Sequence, residues 1–282
     1  MELFSSYTGF EFLTFYVALL LVSVAASFWI AARLRPLGGR ASTLEAEEMA
    51  VLAEGTVRHA YTVATDLMVQ GGLENASSGK LRVAKSSVAR TGSAGRSVLR
   101  KVGAFTISEL CVTTVQDAQA IRSRLIGDGL IMTDSEAAKL RWQVVAPFAG
   151  LLALGLYRAI AGYGEGEAIG FLIVLMLATF VIALWRYSKA PQRTAAGEQL
   201  LQAERERTSR LQRAPQAAEA SYAVALFGAG ILVGTPWEAV HAMKGTAIVQ
   251  GSGATGCGGC GAGGSDGGGS GCGGGGCGGC GG

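Results

Sequence analysis

The chain has 282 residues, a formal net charge of +3, 49% hydrophobic and 16% charged residues, and a mean hydropathy of +0.34. With charged residues so few and mean hydropathy positive, the composition leans toward a membrane protein. The small positive charge does not call for nucleic acid, and no nucleic-acid partner is expected.

Residues 1–11 contain Glu2 and Glu11 but no lysine or arginine, which does not suit a cleaved secretory signal with its positive n-region. They are expected to form an external N-terminus. The stretch "FLTFYVALLLVSVAASFWIAA", residues 12–32, carries no charge. At about 1.5 Å per residue it is long enough to cross a hydrocarbon core roughly 30 Å thick, so a first transmembrane helix is predicted there.

Residues 33–141 are expected to form a cytoplasmic domain. "STLEAEEMAVLAEG" reads as a helix, with Ser42 and Glu45 spaced as a capping box and Gly55 placed to end it. "DLMVQGGLEN" and "SRLIGDGLIM" share a leucine ahead of a glycine turn and a short apolar run. That likeness predicts two winged-helix-like units, about 42–88 and 97–134. The other reading is one small α+β domain in which the shared pattern simply ends helices. Lys80–Lys101 holds seven basic residues and no acid. It reads either as a solvated linker or as a contact with anionic lipid, and no aromatic interleaves it to stack bases.

Two further spans are predicted at 142–164, which contains Pro147 and Arg158, and at 168–185, joined by a tight hairpin carrying Glu165 and Glu167. Basic residues gather on one side of all three spans: Arg33, Arg35 and Arg40; Lys139 and Arg141; Arg186, Lys189 and Arg193. The positive-inside bias then predicts the N-terminus and hairpin outside and the large polar segments inside. Residues 186–219 contain a polar cytoplasmic helix. Residues 220–240 include "SYAVALFGAGILVGTPW", apolar but short, and are expected to be an interfacial segment or a fourth span, with a core helix the remaining reading.

The C-terminal tail, 250–282, is almost entirely glycine, serine and cysteine. Glycine loses the most backbone entropy on folding and no apolar side chain offsets it, so disorder is predicted. The tail holds five of the six cysteines. Cys257 with Cys260 and Cys277 with Cys280 form two CxxC pairs at zinc-site spacing, with Cys272 between them. Zinc held by Cys257, Cys260, Cys277 and Cys280, a tail modified or cleaved by other proteins, and a plain low-complexity extension are the three readings.

No nucleophile elbow, phosphate loop, dinucleotide fingerprint or HExxH occurs in a fitting context, and no enzymatic activity is expected. His59 and His241 read as structural, Cys111 as a buried small hydrophobe, and Glu11 and Arg158 as interfacial.

"LIGDGLIM" before the hairpin, "AVALFGAGIL" after it and the terminal "GCGGGGCGGCGG" resemble a family of uncharacterised bacterial membrane proteins with a Gly/Cys-rich C-terminal tail. The resemblance implies a multi-pass protein of the bacterial inner membrane, and it brings no activity and no catalytic residues. The resulting expectation is a mostly α integral membrane protein of three transmembrane helices, with a fourth candidate, a small α+β winged-helix-like cytoplasmic domain and a disordered tail. Its expected role is that of a non-enzymatic scaffold, with the lipid bilayer and an unidentified protein as partners.

Overall fold

A computed structural model of the chain describes residues 9–39, 43–77, 79–88, 91–165, 170–189, 191–213 and 215–249. The tail with its five cysteines, the hairpin link 166–169 and Ser42 lie outside the described residues. The protein is mostly helical, with three helices long and apolar enough to cross a membrane and one small three-stranded sheet.

The three long helices are α1 (Gly9–Arg33), α6 (Asp134–Glu165) and α7 (Gly170–Ser188). Helix α1 packs along α6, and α6 against α7. Phe12, Tyr16, Leu151 and Leu172 fill the space between them. Gly155 permits this closeness, because a Cβ there would lie 3.0 Å from both Tyr16 and Met176. Helix α6 starts at Asp134, ahead of the predicted Trp142. The reason is local: Thr133 N–H donates to Glu136 Oε2 at 3.0 Å and Glu136 N–H to Thr133 Oγ1 at 3.3 Å, a reciprocal capping box.

The domain begins with α2 (Ala46–Glu54) and α3 (Thr56–Val69). Gly55, at φ +74, separates them, and its N–H donates to Val51 O. The box that opens α2 pairs Glu45 with Glu48, the Glu45 N–H reaching Glu48 Oε2 at 3.1 Å. Then follow β1 (Leu73–Ser77), β2 (Lys80–Val83), α4 (Ser93–Leu99), β3 (Ala104–Phe105) and α5 (Ile107–Gly127). The strands pair antiparallel in the order β1-β2-β3, with Leu73 opposite Val83 and Leu81 opposite Phe105. Leu73, Leu81 and Phe105 turn into the core.

The likeness between "LMVQGG" and "LIGDGL" is that of two identical helix ends. Gly71 N–H donates to Met68 O and Gly72 N–H to Leu67 O. At the end of α5, Gly129 N–H donates to Ile126 O and Leu130 N–H to Leu125 O. Both are Schellman caps with a left-handed glycine, φ +71 and +72. After the first cap the chain forms the β1–β2 hairpin. After the second, Ile131 makes a single bridge to Arg193. Strands from both predicted units share one sheet, so among the described residues the units are not separate bodies.

The chain after the bundle completes the domain. Helices α8 (Ala195–Arg207), α9 (Ala220–Phe227) and α10 (Glu238–Val249) pack onto the elements before it. Val224, Leu232, Val240 and Met243 join the core around α3, the sheet and α5, while Leu201, Ala225 and Leu226 join the one around α2. This corrects two sequence expectations. The 220–240 segment is a core element of the domain: α9 has only eight residues, a glycine at φ +91 ends it, and Val224 and Leu226 are fully buried. The domain also does not lie wholly within 33–141. Burying Leu226, Leu232, Val240 and Met243 contributes about 6–12 kcal/mol, comparable to the whole stability of a domain, about 5–15 kcal/mol.

Candidate functional site at the junction of bundle and domain

The chain passes between bundle and domain three times, at 36–39, at 129–132 and at 192–196, and these stretches are hydrogen-bonded to one another. Gly39 N–H donates to Gly129 O at 3.2 Å, Met132 N–H to Gln192 O at 2.9 Å, and Thr194 N–H to Leu130 O at 3.1 Å. Ala195 and Ala196 N–H donate to Pro36 and Leu37 O at 2.8 and 2.9 Å. Thr194, nearly buried, caps α8 and also donates its hydroxyl to Gly129 O at 2.7 Å.

Glycine is required at this crossing because backbone meets backbone. A Cβ on Gly39 would lie 2.1 Å from Asp128 O, and one on Gly197 2.3 Å from Leu130 O. Arg193 extends the junction upward: Nε donates to Leu52 O at 2.7 Å, a terminal nitrogen to Ala53 O, and another to Glu198 at 3.2 Å. It thereby satisfies the last carbonyls of α2, where a cation is favoured by the helix dipole. Arg58 does the same for α9 through Val224 O and Ala225 O, both at 3.4 Å, while paired with Glu54.

Above the junction, one face of α3 is polar and buried. His59, Thr62 and Asp66 share it by helical spacing. His59 is fully buried and its Nε2 lies 3.1 Å from Glu47 Oε2 on α2. With Nε2–H directed at Glu47, Nδ1 is buried without a hydrogen-bond partner among the described residues. Burial, and then the charge of Glu47, push the Asp66 carboxyl above its ordinary range, against the hydrogen bond it accepts from Gln70 at 2.7 Å. Gly92 closes over this cluster, since a Cβ there would lie 3.0 Å from Glu47 Oε1. Burial, followed by Cys111 and Glu54, pushes the Tyr61 hydroxyl up to about 12. No three His, Cys, Asp or Glu side chains converge on a metal position among the described residues.

The remaining sequence candidates are dispersed. His241 is half-buried on α10, and Cys111 is a half-buried thiol at the edge of the core. Cys257, Cys260, Cys277 and Cys280 lie outside the described residues. Arg158, expected at an interface, is buried in the bundle with its guanidinium 5.7 Å from the centre of the Phe12 ring. Lys80–Lys101 covers β2, the following loop and α4, with Lys80, Arg82, Lys85, Arg96 and Arg100 exposed. Arg82 pairs with Glu74 at 2.5 Å and Lys101 with Glu109 at 3.7 Å. This segment adjoins the start of α5, whose other end enters the junction, so the 21 residues of α5 set the two apart by about 30 Å along the helix.

Sequence reasoning missed the junction because its signal is a glycine pair, Gly38–Gly39, and a threonine, Thr194, far apart in the chain. Compared with protein families, with curated proteins and with solved structures, this chain finds no match.

Proposed function

We propose that this chain is a non-enzymatic integral membrane protein of the bacterial inner membrane, a scaffold that holds an interaction domain at a fixed height on the cytoplasmic face. The observation that carries the reading is the junction. Three interlocked crossings fix the domain to the bundle, as suits a protein that presents a surface, whereas a domain on a flexible tether would need only one. The basic flanks of α1, α6 and α7 support the cytoplasmic orientation. The resemblance to the bacterial membrane proteins with Gly/Cys-rich tails supports the compartment.

In this reading the β1–β2 hairpin is the contact surface, a winged-helix-like feature exposed from Glu74 to Ser77. A photo-crosslinking residue at Glu74 in the full-length protein, expressed in cells, is expected to yield one discrete protein adduct. A smear identical to that from a site on α8 would end the scaffold reading.

A second reading is favoured by the position of α10. Because Val240 and Met243 lie in the core, the chain leaves for 250–282 from the domain's side of the bundle. With the domain in the cytoplasm, the tail cysteines stay reduced and available for metal. We infer zinc binding by Cys257, Cys260, Cys277 and Cys280 as the function of that segment. The full-length protein is expected to retain one zinc per chain and to lose it in the Cys257→Ser/Cys280→Ser variant; no retention at micromolar zinc ends the idea. The rival, in which the tail is a substrate for modification or proteolysis, predicts an intact mass that departs from that of the unmodified chain. Impermeant thiol labelling of intact cells tests the orientation, with labelling expected only after permeabilisation.

A further inference from the structure

The domain-facing end of the bundle carries one exposed tryptophan per helix: Trp29 on α1, Trp142 on α6 and Trp185 on α7, each more than half exposed. Trp142 meets Tyr187 edge-on at 6.3 Å. Indole and phenol rings in a ring around a helical bundle mark the headgroup depth of a bilayer. Arginines accompany them. Arg33 lies 6.0 Å from the centre of the Trp29 ring, Arg186 4.0 Å from that of Phe28, and Arg141 5.8 Å from that of Tyr187.

These arginines differ in what remains of their hydrogen-bonding capacity. Arg186 is spent on α1, donating from Nε to Ser27 Oγ at 3.2 Å and from a terminal nitrogen to Ser27 O at 3.4 Å. Arg35, whose Nε is also buried without a partner among the described residues, lies 4.0 Å from Glu198. Arg141 donates to no protein acceptor among the described residues. Its Nε is buried without a partner among the described residues, the Tyr187 ring centre lies 5.8 Å away, and Asp134, which feels its charge, is hydrogen-bonded by Arg122 at 2.8 Å. The result is a guanidinium that donates to no acceptor among the described residues and lies beside Tyr187, which in turn meets Trp142. A planar fork of this kind matches two oxygens of a phosphate.

We propose that the surface where the start of α6 meets the end of α7 binds the phosphate of an anionic glycerophospholipid, with Arg141 as its donor beside the Trp142 and Tyr187 rings. It is distinct from the Lys80–Lys101 segment, which adjoins the start of α5, whereas Arg141 lies in α6 beyond the other end of α5. The proposal rests on the membrane reading above, and the test separates the two.

The full-length protein, in detergent with an equimolar mixture of phosphatidylglycerol and phosphatidylcholine, is examined by native mass spectrometry. Wild type is expected to retain phosphatidylglycerol preferentially, and Arg141→Gln to lose about tenfold in that preference, the size of one charge-assisted hydrogen bond. Arg100→Gln, in the basic segment, is expected to leave it unchanged. Arg141→Lys keeps the charge and the fold without the fork, and an intermediate preference is expected. Equal retention of the two lipids by wild type, or full preference in either Arg141 variant, overturns the site. Displacement of the lipid by millimolar inorganic phosphate assigns the site to a soluble anion and also overturns it. Recovery of the chain in the carbonate-washed membrane pellet, whatever the lipid result, keeps the membrane reading; its loss from that pellet sinks both.

Discussion

The domain and the bundle solve opposite problems with the same amino acids. In the domain, Leu52, Leu67, Leu125 and Leu226 are buried, and large apolar side chains stand exposed only at scattered positions such as Val102 and Val112. In the bundle, Leu21, Val22, Val174 and Leu177 are exposed, while Tyr16, Ser27, Thr179 and Arg186 are buried. Water drives apolar side chains inward in the first case. Lipid is as apolar as leucine, so in the second nothing drives them inward, and the helices are joined by close packing and polar contacts. Gly155 lets Tyr16 and Met176 approach, the Tyr16 hydroxyl sits 3.4 Å from Thr179 Oγ1, and Thr179 donates to Leu175 O at 2.8 Å. Burial therefore means different things on the two sides of the junction.

That contrast is broken most severely by ending the chain after Gln212, which removes α9 and α10. The domain is expected to lose its cooperative unfolding transition while the spans still insert, checked by limited proteolysis of membranes. Leu226→Ala is expected to destabilise the domain by about 3 kcal/mol, whereas Leu177→Ala, of equal volume change but facing outward, is expected to be near neutral in denaturant titrations. An equal loss for the two would deny the contrast. Gly39→Ala forces backbone apart at the junction and is expected to cost about 2 kcal/mol, read as a lower midpoint and as new protease sensitivity at 36–39.

A shallower effect depends on pH. Burial, and for Tyr222 also Glu204, raises Tyr61 and Tyr222 from 10.0 to about 12. The folded domain therefore keeps protons that the unfolded chain has released, and their contribution is lost as pH rises from 10 toward 12. Tyr61→Phe is expected to flatten that decline in thermal melts. Smallest is Tyr16→Phe in the bundle, about 0.6 kcal/mol, measured by reversible unfolding in mixed micelles.

The long spans were legible because an uncharged run of that length has few other uses. Gly55 and the Leu67–Gly72 and Leu125–Leu130 caps were legible as punctuation, though the caps were read as a repeat of whole units when only the helix ends repeat. The segment at 220–240 was not legible. A short helix enclosed by its own domain and one facing lipid both need apolar residues all round, and only Gly228 with Pro236 shortly after hinted at breaks. The pairing of half-buried Glu47 with buried His59 was hidden because the Gly55 turn folds two consecutive helices face to face. The candidate site was hidden more deeply. Arg141 was read for its charge alone, and nothing in one dimension reveals that Tyr187 lies beside it.

The late position of α10 also sets a timetable. The ribosome adds roughly 120 residues between the ends of α5 and α10, which takes about 6–24 s at ordinary rates of synthesis. In the later part of that interval α2 through α5 have left the tunnel while Val224, Leu232, Val240 and Met243, which share the core of Leu73, Leu81, Phe105 and Leu110, are still unmade or inside it. Insertion of α6 and α7 thus precedes closure of the soluble half, and a nascent chain stalled before Val240 exposes a sticky, unfinished body that holdase chaperones would recognise.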